Sequence, residues 1–295
     1  METLSGKFKE QIQKAVRLSK VSTVVTEQDV YQEGDQNVLP FLHKMVETLV
    51  LPGSGISGFE HLKELLEKAN AGHSCLLFVE HYSNMDLSAF HYLLQKEPDP
   101  GKAIADALVA IAGIKLNEEN PVVAAFTGAH TRLVIYPSRS LSHLDPVKDR
   151  AELVRSNGIN RAAMKALSDI KVKGKLILVF PSGTRYRPWD PQTKKGVREI
   201  DSYIKSFEYM CMVAINGEVL HVSPGDMMDD FVSEDVVRYT AGPVLSCAEF
   251  RSAARAVAEA AGVEDKKQAV VDTIMERLEE MHIAGEADRQ GYLKK

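Results

Sequence analysis

Hydrophobic positions in the first fifty residues fall at helical spacing. Phe8, Ile12 and Val16 recur every four residues, and Val38, Phe41, Leu42, Met45 and Leu49 repeat on one helix face. The short run 21–26 is the only strand-like stretch among them. Residues 1–50 therefore read as a small N-terminal helical module. It closes at "LPGSGISG", where Pro52 and a cluster of glycines break any helix.

From residue 51 the rhythm changes. The pattern predicts a helix over 59–70, a buried strand over 74–79, and a helix over 86–95 stopped by Pro98 and Pro100. Strand 107–112, a short helix 121–126, strand 133–136, helix 160–170 and strand 175–180 follow, then strands 210–215 and 238–246. The strands barely alternate in polarity, as expected when helices cover both faces of a sheet. Segments 248–260 and 266–283 read as amphipathic helices packed on the outside. The expectation is an α/β fold, with a mixed, largely parallel sheet flanked by helices. No internal repeat interrupts this order.

Composition is ordinary for a globular chain, and a formal net charge of -5 argues against a nucleic-acid binder. Cys75, Cys211 and Cys247 lack metal-ligand spacing and suit reduced core thiols of a cytosolic protein. Glu2, Lys7, Lys9 and Glu10 leave no apolar stretch for an export signal, and no long uncharged window suits a membrane span. A soluble compartment such as the cytoplasm or a stroma-like space is expected, with peripheral membrane contact left open.

The chemistry starts at "VEHYSNMDLSAF", residues 79–90. His81 ends an apolar strand, where α/β proteins place reactive groups, and Asp86 follows five residues later. If Ser83 or Asn84 caps the next helix, the turn folds Asp86 back onto His81. A carboxylate on one imidazole nitrogen sets the tautomer and makes the other nitrogen more basic. Such a pair could deprotonate a substrate hydroxyl; Asp86 could equally serve only as the acid at a helix N-terminus.

A second stretch, "LILVFPSGTRYRPWD", leads from a strand into Gly183, Thr184, Arg185 and Arg187. Gly183 allows close backbone approach, and two guanidinium forks suit phosphate oxygens; a turn with two solvated arginines is the plainer alternative. Lys194, Lys195 and Arg198 read as a solvated loop, "DMMDD" (226–230) as a surface turn, and Trp189 as packing or a membrane anchor. There is no P-loop motif, no G-x-S-x-G and no H-E-x-x-H pair.

"HYSNMD" resembles the H-x-x-x-x-D motif of the glycerolipid acyltransferases, and "VFPSGTR" resembles their F-P-E-G-T-R motif. "PSGTRYRP" is closer to the P-S-G-G-R-D-R-P of the soluble, chloroplast-type glycerol-3-phosphate acyltransferases. "GISGFEHL" is similar to the family's G-x-E-N-L lead-in. The resemblance spans about residues 55–225 and implies a helical module followed by an α/β acyltransferase domain, here 51–295 with its C-terminal helices. It implies His81 as general base, Asp86 as its orienting carboxylate, and Gly183, Thr184, Arg185 and Arg187 as phosphate-binding residues. In "YPSRSLSHLDP", Arg139 stands nearest the family's K-K-H segment, with His143 a looser match. The strand "CMVAI" departs from the family's fourth motif, with Met212 where a proline is expected.

The resemblance implies acyl transfer from acyl-carrier protein or coenzyme A thioester to the 1-hydroxyl of glycerol 3-phosphate. No cofactor, metal or covalent intermediate is needed. Backbone N–H groups at the start of the Asp86 helix are candidate oxyanion donors. A lysophosphatidate acyltransferase and a non-catalytic lipid- or phosphometabolite-binding protein of the same fold remain the alternatives.

Overall fold

The computed structural model describes residues 2–118, 120–142 and 144–294. Its twelve strands are β1 (Glu2–Thr3), β2 (Tyr31–Gln32), β3 (Gly55–Ser57), β4 (Cys75–Val79), β5 (Leu108–Gly113), β6 (Arg132–Ile135), β7 (Leu176–Val179), β8 (Tyr209–Asn216), β9 (Leu220–His221), β10 (Phe231–Val232), β11 (Arg238–Ala241) and β12 (Leu245–Ser246). The main sheet runs β2-β6-β5-β7-β4-β8-β11-β3, with β12 paired to β8. Strands β6, β5, β7, β4 and β8 are mutually parallel; β2 pairs antiparallel with β6, β11 and β12 pair antiparallel with β8, and β3 pairs parallel with β11. The fold is α/β, a mixed, mostly parallel sheet flanked by helices.

Every residue of β4 is buried, and its side chains alternate between two cores. Cys75, Leu77 and Val79 join one face with Leu65 and Phe90; Leu76 and Phe78 join the other with Ile204 and Ile274. This explains why the strand reads as an unbroken apolar run. The three cysteines are buried, and burial pushes each thiol up to about 12. Among the described residues no helix is long and apolar enough to cross a membrane.

The helices Leu4–Lys7, Lys9–Leu18 and Leu39–Leu49 place Leu4, Phe8, Ile12, Leu42 and Met45 in the same core as Leu62 and Leu77. The first fifty residues also supply β1 and β2, edge strands of the two sheets. The expected strand over 21–26 is absent: the edge of the main sheet is taken instead by Tyr31–Gln32, which pairs with Leu133 and Arg132. The helix expected over 160–170 begins at Arg150, because its first turns are mostly solvated and carry little apolar signal. The last helix runs Lys266–Leu293 and buries Val270, Val271, Ile274 and Leu278 along one face. Gly285 on that helix lies so close to the sheet that a Cβ would sit 2.2 Å from Asn216 Oδ1. The strand expected over 238–246 is two, β11 and β12, parted at Gly242-Pro243.

Connections from β4 and β7 leave on opposite faces. β4 leads into the helix Asp86–Lys96, whose Phe90 and Leu94 belong to one core; β7 leads toward the helix Ile200–Ser206, whose Ile200 and Ile204 belong to the other. Neighbouring parallel strands that diverge in this way open a crevice at their carboxyl ends, where open α/β sheets bind ligands. His81 and the turn beginning at Pro181 both lie at that crevice.

Candidate active site

The loop after β4 is built around one carboxylate. Asp86 Oδ2 lies 2.9 Å from His81 Nδ1 and accepts the N–H groups of Tyr82 at 2.6 Å and Ser83 at 2.9 Å. Its Oδ1 accepts the Ser83 hydroxyl at 2.7 Å. Ser83 does not cap the helix in the ordinary way: its Oγ accepts Met85 N–H at 3.2 Å while donating to Asp86. The buried Tyr239 hydroxyl donates to the Asp86 carbonyl at 2.7 Å and ties the helix start to β11.

These bonds decide the tautomer. An oxygen already receiving two backbone N–H groups is an acceptor toward the imidazole as well, so Nδ1 carries the proton. Nε2 then carries the lone pair, and among the described residues no protein group bonds it. The ring stacks on Phe180, with centroids 3.9 Å apart and planes 14° from parallel. The backbone N–H groups of Tyr82 and Ser83, in the loop before the Asp86 helix, are spent on Asp86 and are not free to serve an oxyanion.

The second motif meets the first directly. Tyr186 donates its N–H to the His81 carbonyl at 2.8 Å. Pro181–Thr184 form a tight turn: Gly183 N–H reaches the Phe180 carbonyl at 2.9 Å, and the Ser182 hydroxyl donates to the Thr184 carbonyl at 2.7 Å. Gly183 has φ +63°, the left-handed region that favours glycine. Arg187 donates its N–H to Thr193 Oγ1 at 2.8 Å, and its guanidinium makes no ion pair among the described residues. Arg185 is engaged: its Nη1 lies 2.9 Å from Asp230 Oδ2. The structure thus joins His81, Asp86 and the 183–187 segment in one crevice.

Arg139 stands apart. It lies exposed in the short helix Ser138–Leu141 after β6, at the same sheet edge. β6 is three strand positions from β4, which places it about 14 Å along that edge. His143 lies outside the described residues.

A cavity of about 300 Å³ opens beside His81. Tyr82, Pro181, Tyr186 and Met275 line it, with Lys194 and Lys195 on the loop side and Asp272, Glu276 and Glu279 on the last helix. Lys194 pairs with Glu279. The cavity beside His81 is thus walled by lysines and carboxylates, with both arginines of the second motif, Arg185 and Arg187, outside its lining.

Sequence reasoning missed a buried cluster behind His81. Glu80 accepts Ile215 N–H at 2.7 Å and the Tyr82 hydroxyl at 3.0 Å, and lies 3.1 Å from His282 Nδ1. The hydrogen bond to Glu80 raises the pKa of His282, against the effect of burial. Glu80 was visible beside His81, but no local signal marks His282 as its partner. Among the described residues no group of three or more His, Cys, Asp or Glu side chains is arranged to hold a metal ion.

No family model matches the chain, and no curated protein is similar enough to count as a relative.

Proposed function

We propose that the chain is an acyltransferase that moves a fatty acyl group from an acyl-carrier-protein or coenzyme A thioester to the 1-hydroxyl of glycerol 3-phosphate. The observation that carries the reading is the 2.9 Å contact between His81 Nδ1 and Asp86, with Nε2 left without a protein partner beside the Pro181–Arg185 turn. Nε2 takes the proton of the acceptor hydroxyl as its oxygen attacks the thioester carbonyl. Asp86 stabilises the imidazolium that forms. Collapse of the tetrahedral intermediate breaks the carbon–sulfur bond, and the proton returns from Nε2 to the leaving thiolate. No acyl-enzyme is required.

Arg185 and Arg187 hold the phosphate and so place the hydroxyl at Nε2; positioning of this kind supplies several kcal/mol of a barrier. General base catalysis adds about 10²–10⁴-fold. The cavity on the Tyr186 side, with its acidic far wall, suits the uncharged arm of the donor better than a second phosphate.

The test is thioester cleavage measured with and without glycerol 3-phosphate, and separately with lysophosphatidate. Release that depends on glycerol 3-phosphate and disappears in His81→Ala supports the proposal. Release that depends on lysophosphatidate replaces the acceptor, and absence of release with either removes the enzyme reading.

A further inference from the structure

The pentapeptide "DMMDD" reads as a surface turn, and Asp226 and Asp229 are indeed exposed. Asp230 is not: it is 0% exposed. Its Oδ2 pairs with Arg185 Nη1 at 2.9 Å, and its Oδ1 accepts Ser223 N–H at 2.8 Å. Its carbonyl accepts Leu4 N–H at 2.8 Å. The strand that follows it, β10, is held between β9 and β1. The carboxylate is thereby anchored at both oxygens and through the main chain on each side.

A buried carboxylate is costly unless paired, so a fully buried aspartate committed to one cation needs a reason. Arg185 keeps 18% of its side chain exposed and spends only one of its five N–H groups on Asp230. A guanidinium is planar. Holding one terminal nitrogen on a rigid acceptor restricts the plane, and the remaining donors form a preset fork. A long side chain so restrained loses less freedom when it closes on an anion.

We propose that Asp230 is a positioning residue that aims the Arg185 fork at the phosphate of the acceptor. The inference rests on the acceptor reading given above and adds the group that orients its phosphate ligand. Asp230 touches neither substrate nor reacting atoms; it acts through Arg185, and the strap of β9, β10 and β1 holds it still.

The test is Asp230→Asn, which keeps the shape and an acceptor for Ser223 N–H. Steady-state kinetics are run with glycerol 3-phosphate and with glycerol, which carries the same reacting hydroxyl without the phosphate. The expected result is a fall of about tenfold in kcat/KM on glycerol 3-phosphate, expressed in KM, from the weakening of one charge-assisted contact. On glycerol the fall stays below about twofold. In the Arg185→Ala background the same substitution adds nothing further, because Asp230 acts only through that arginine. If Asp230→Asn does not fold, Asp230→Glu, which moves the charge by one methylene, is read in the same way. Equal losses on both acceptors, or additive effects in the double variant, reduce Asp230 to a structural tie and overturn the inference. Wild-type protein that neither turns over nor binds glycerol 3-phosphate by calorimetry overturns the acceptor reading, and this inference with it. Wild-type dependence on glycerol 3-phosphate with an unchanged KM in Asp230→Asn overturns this inference alone.

Discussion

Replacing Asp86 tests the architecture of the loop before any substrate is assumed. The carboxylate accepts the N–H groups of Tyr82 and Ser83 and the Ser83 hydroxyl, and Ser83 is 2% exposed. Alanine leaves two backbone donors and one hydroxyl without acceptors. An orphaned buried donor costs about 1–3 kcal/mol. The hydroxyl can rotate, so the two backbone donors set the sum at roughly 2–6 kcal/mol, a large part of the 5–15 kcal/mol that holds a domain together. Asparagine is different. Its oxygen can take the Oδ2 place and serve the N–H groups of Tyr82, Ser83 and the His81 ring, while its NH₂ faces Ser83 Oγ, which turns to accept. That variant should lose only about 1 kcal/mol of stability. It also lacks the charge opposite His81, worth about 4 kcal/mol at 4 Å in an effective dielectric of 20, so turnover should fall roughly 10²–10³-fold. Urea unfolding followed by circular dichroism measures the first effect, and the acyl-transfer assay the second. An Asp86→Ala protein within 1 kcal/mol of wild type would show that the loop is not organised around this carboxylate. An Asp86→Asn protein of full activity would remove the imidazole–carboxylate pair from the chemistry.

Two further perturbations follow from the structure. Gly183→Ala forces a side chain into φ +63° and puts its Cβ 3.3 Å from Val197 Cγ1; a loss of about 1–2 kcal/mol is expected in thermal unfolding, and an unchanged Tm would contradict the strained turn. Burial holds the His91 imidazole, 3.0 Å from His43 Nε2, down to about 4. A folded pKa below the unfolded value means that the unfolded chain protonates first. The contribution is therefore complete above about pH 6.5 and lost as pH falls toward 4, by up to about 3 kcal/mol. His91→Gln should flatten that part of the stability–pH curve, and a curve as steep as that of wild type would rule His91 out as the cause.

The central strands were legible because their neighbours bury both faces: β4, β5, β7 and β8 are apolar runs in the chain and buried runs in the fold. Two-residue strands such as Tyr31–Gln32 are made by their partners, so 21–26, richer in β-branched residues, carries the stronger local strand signal without forming a strand. His81 and Asp86 could be paired on paper because five residues make one turn. Asp230 could not be paired with Arg185, nor Glu80 with His282, because only the folded sheet edge brings each pair together. Arg139 follows the right kind of strand, yet strand order, which no local pattern encodes, sets it well along the edge.

The bond between Glu80 and His282 joins positions 202 residues apart. On the ribosome β4, the strand that leads into Glu80, emerges long before its flanking strands β7 and β8, and before the helix that brings His282. Until then Glu80 must stay hydrated, and the middle of the sheet stays open on both edges. A nascent chain of this topology depends on late, distant contacts to close its centre, which slows folding and lengthens the time during which apolar edges are available to chaperones or to one another.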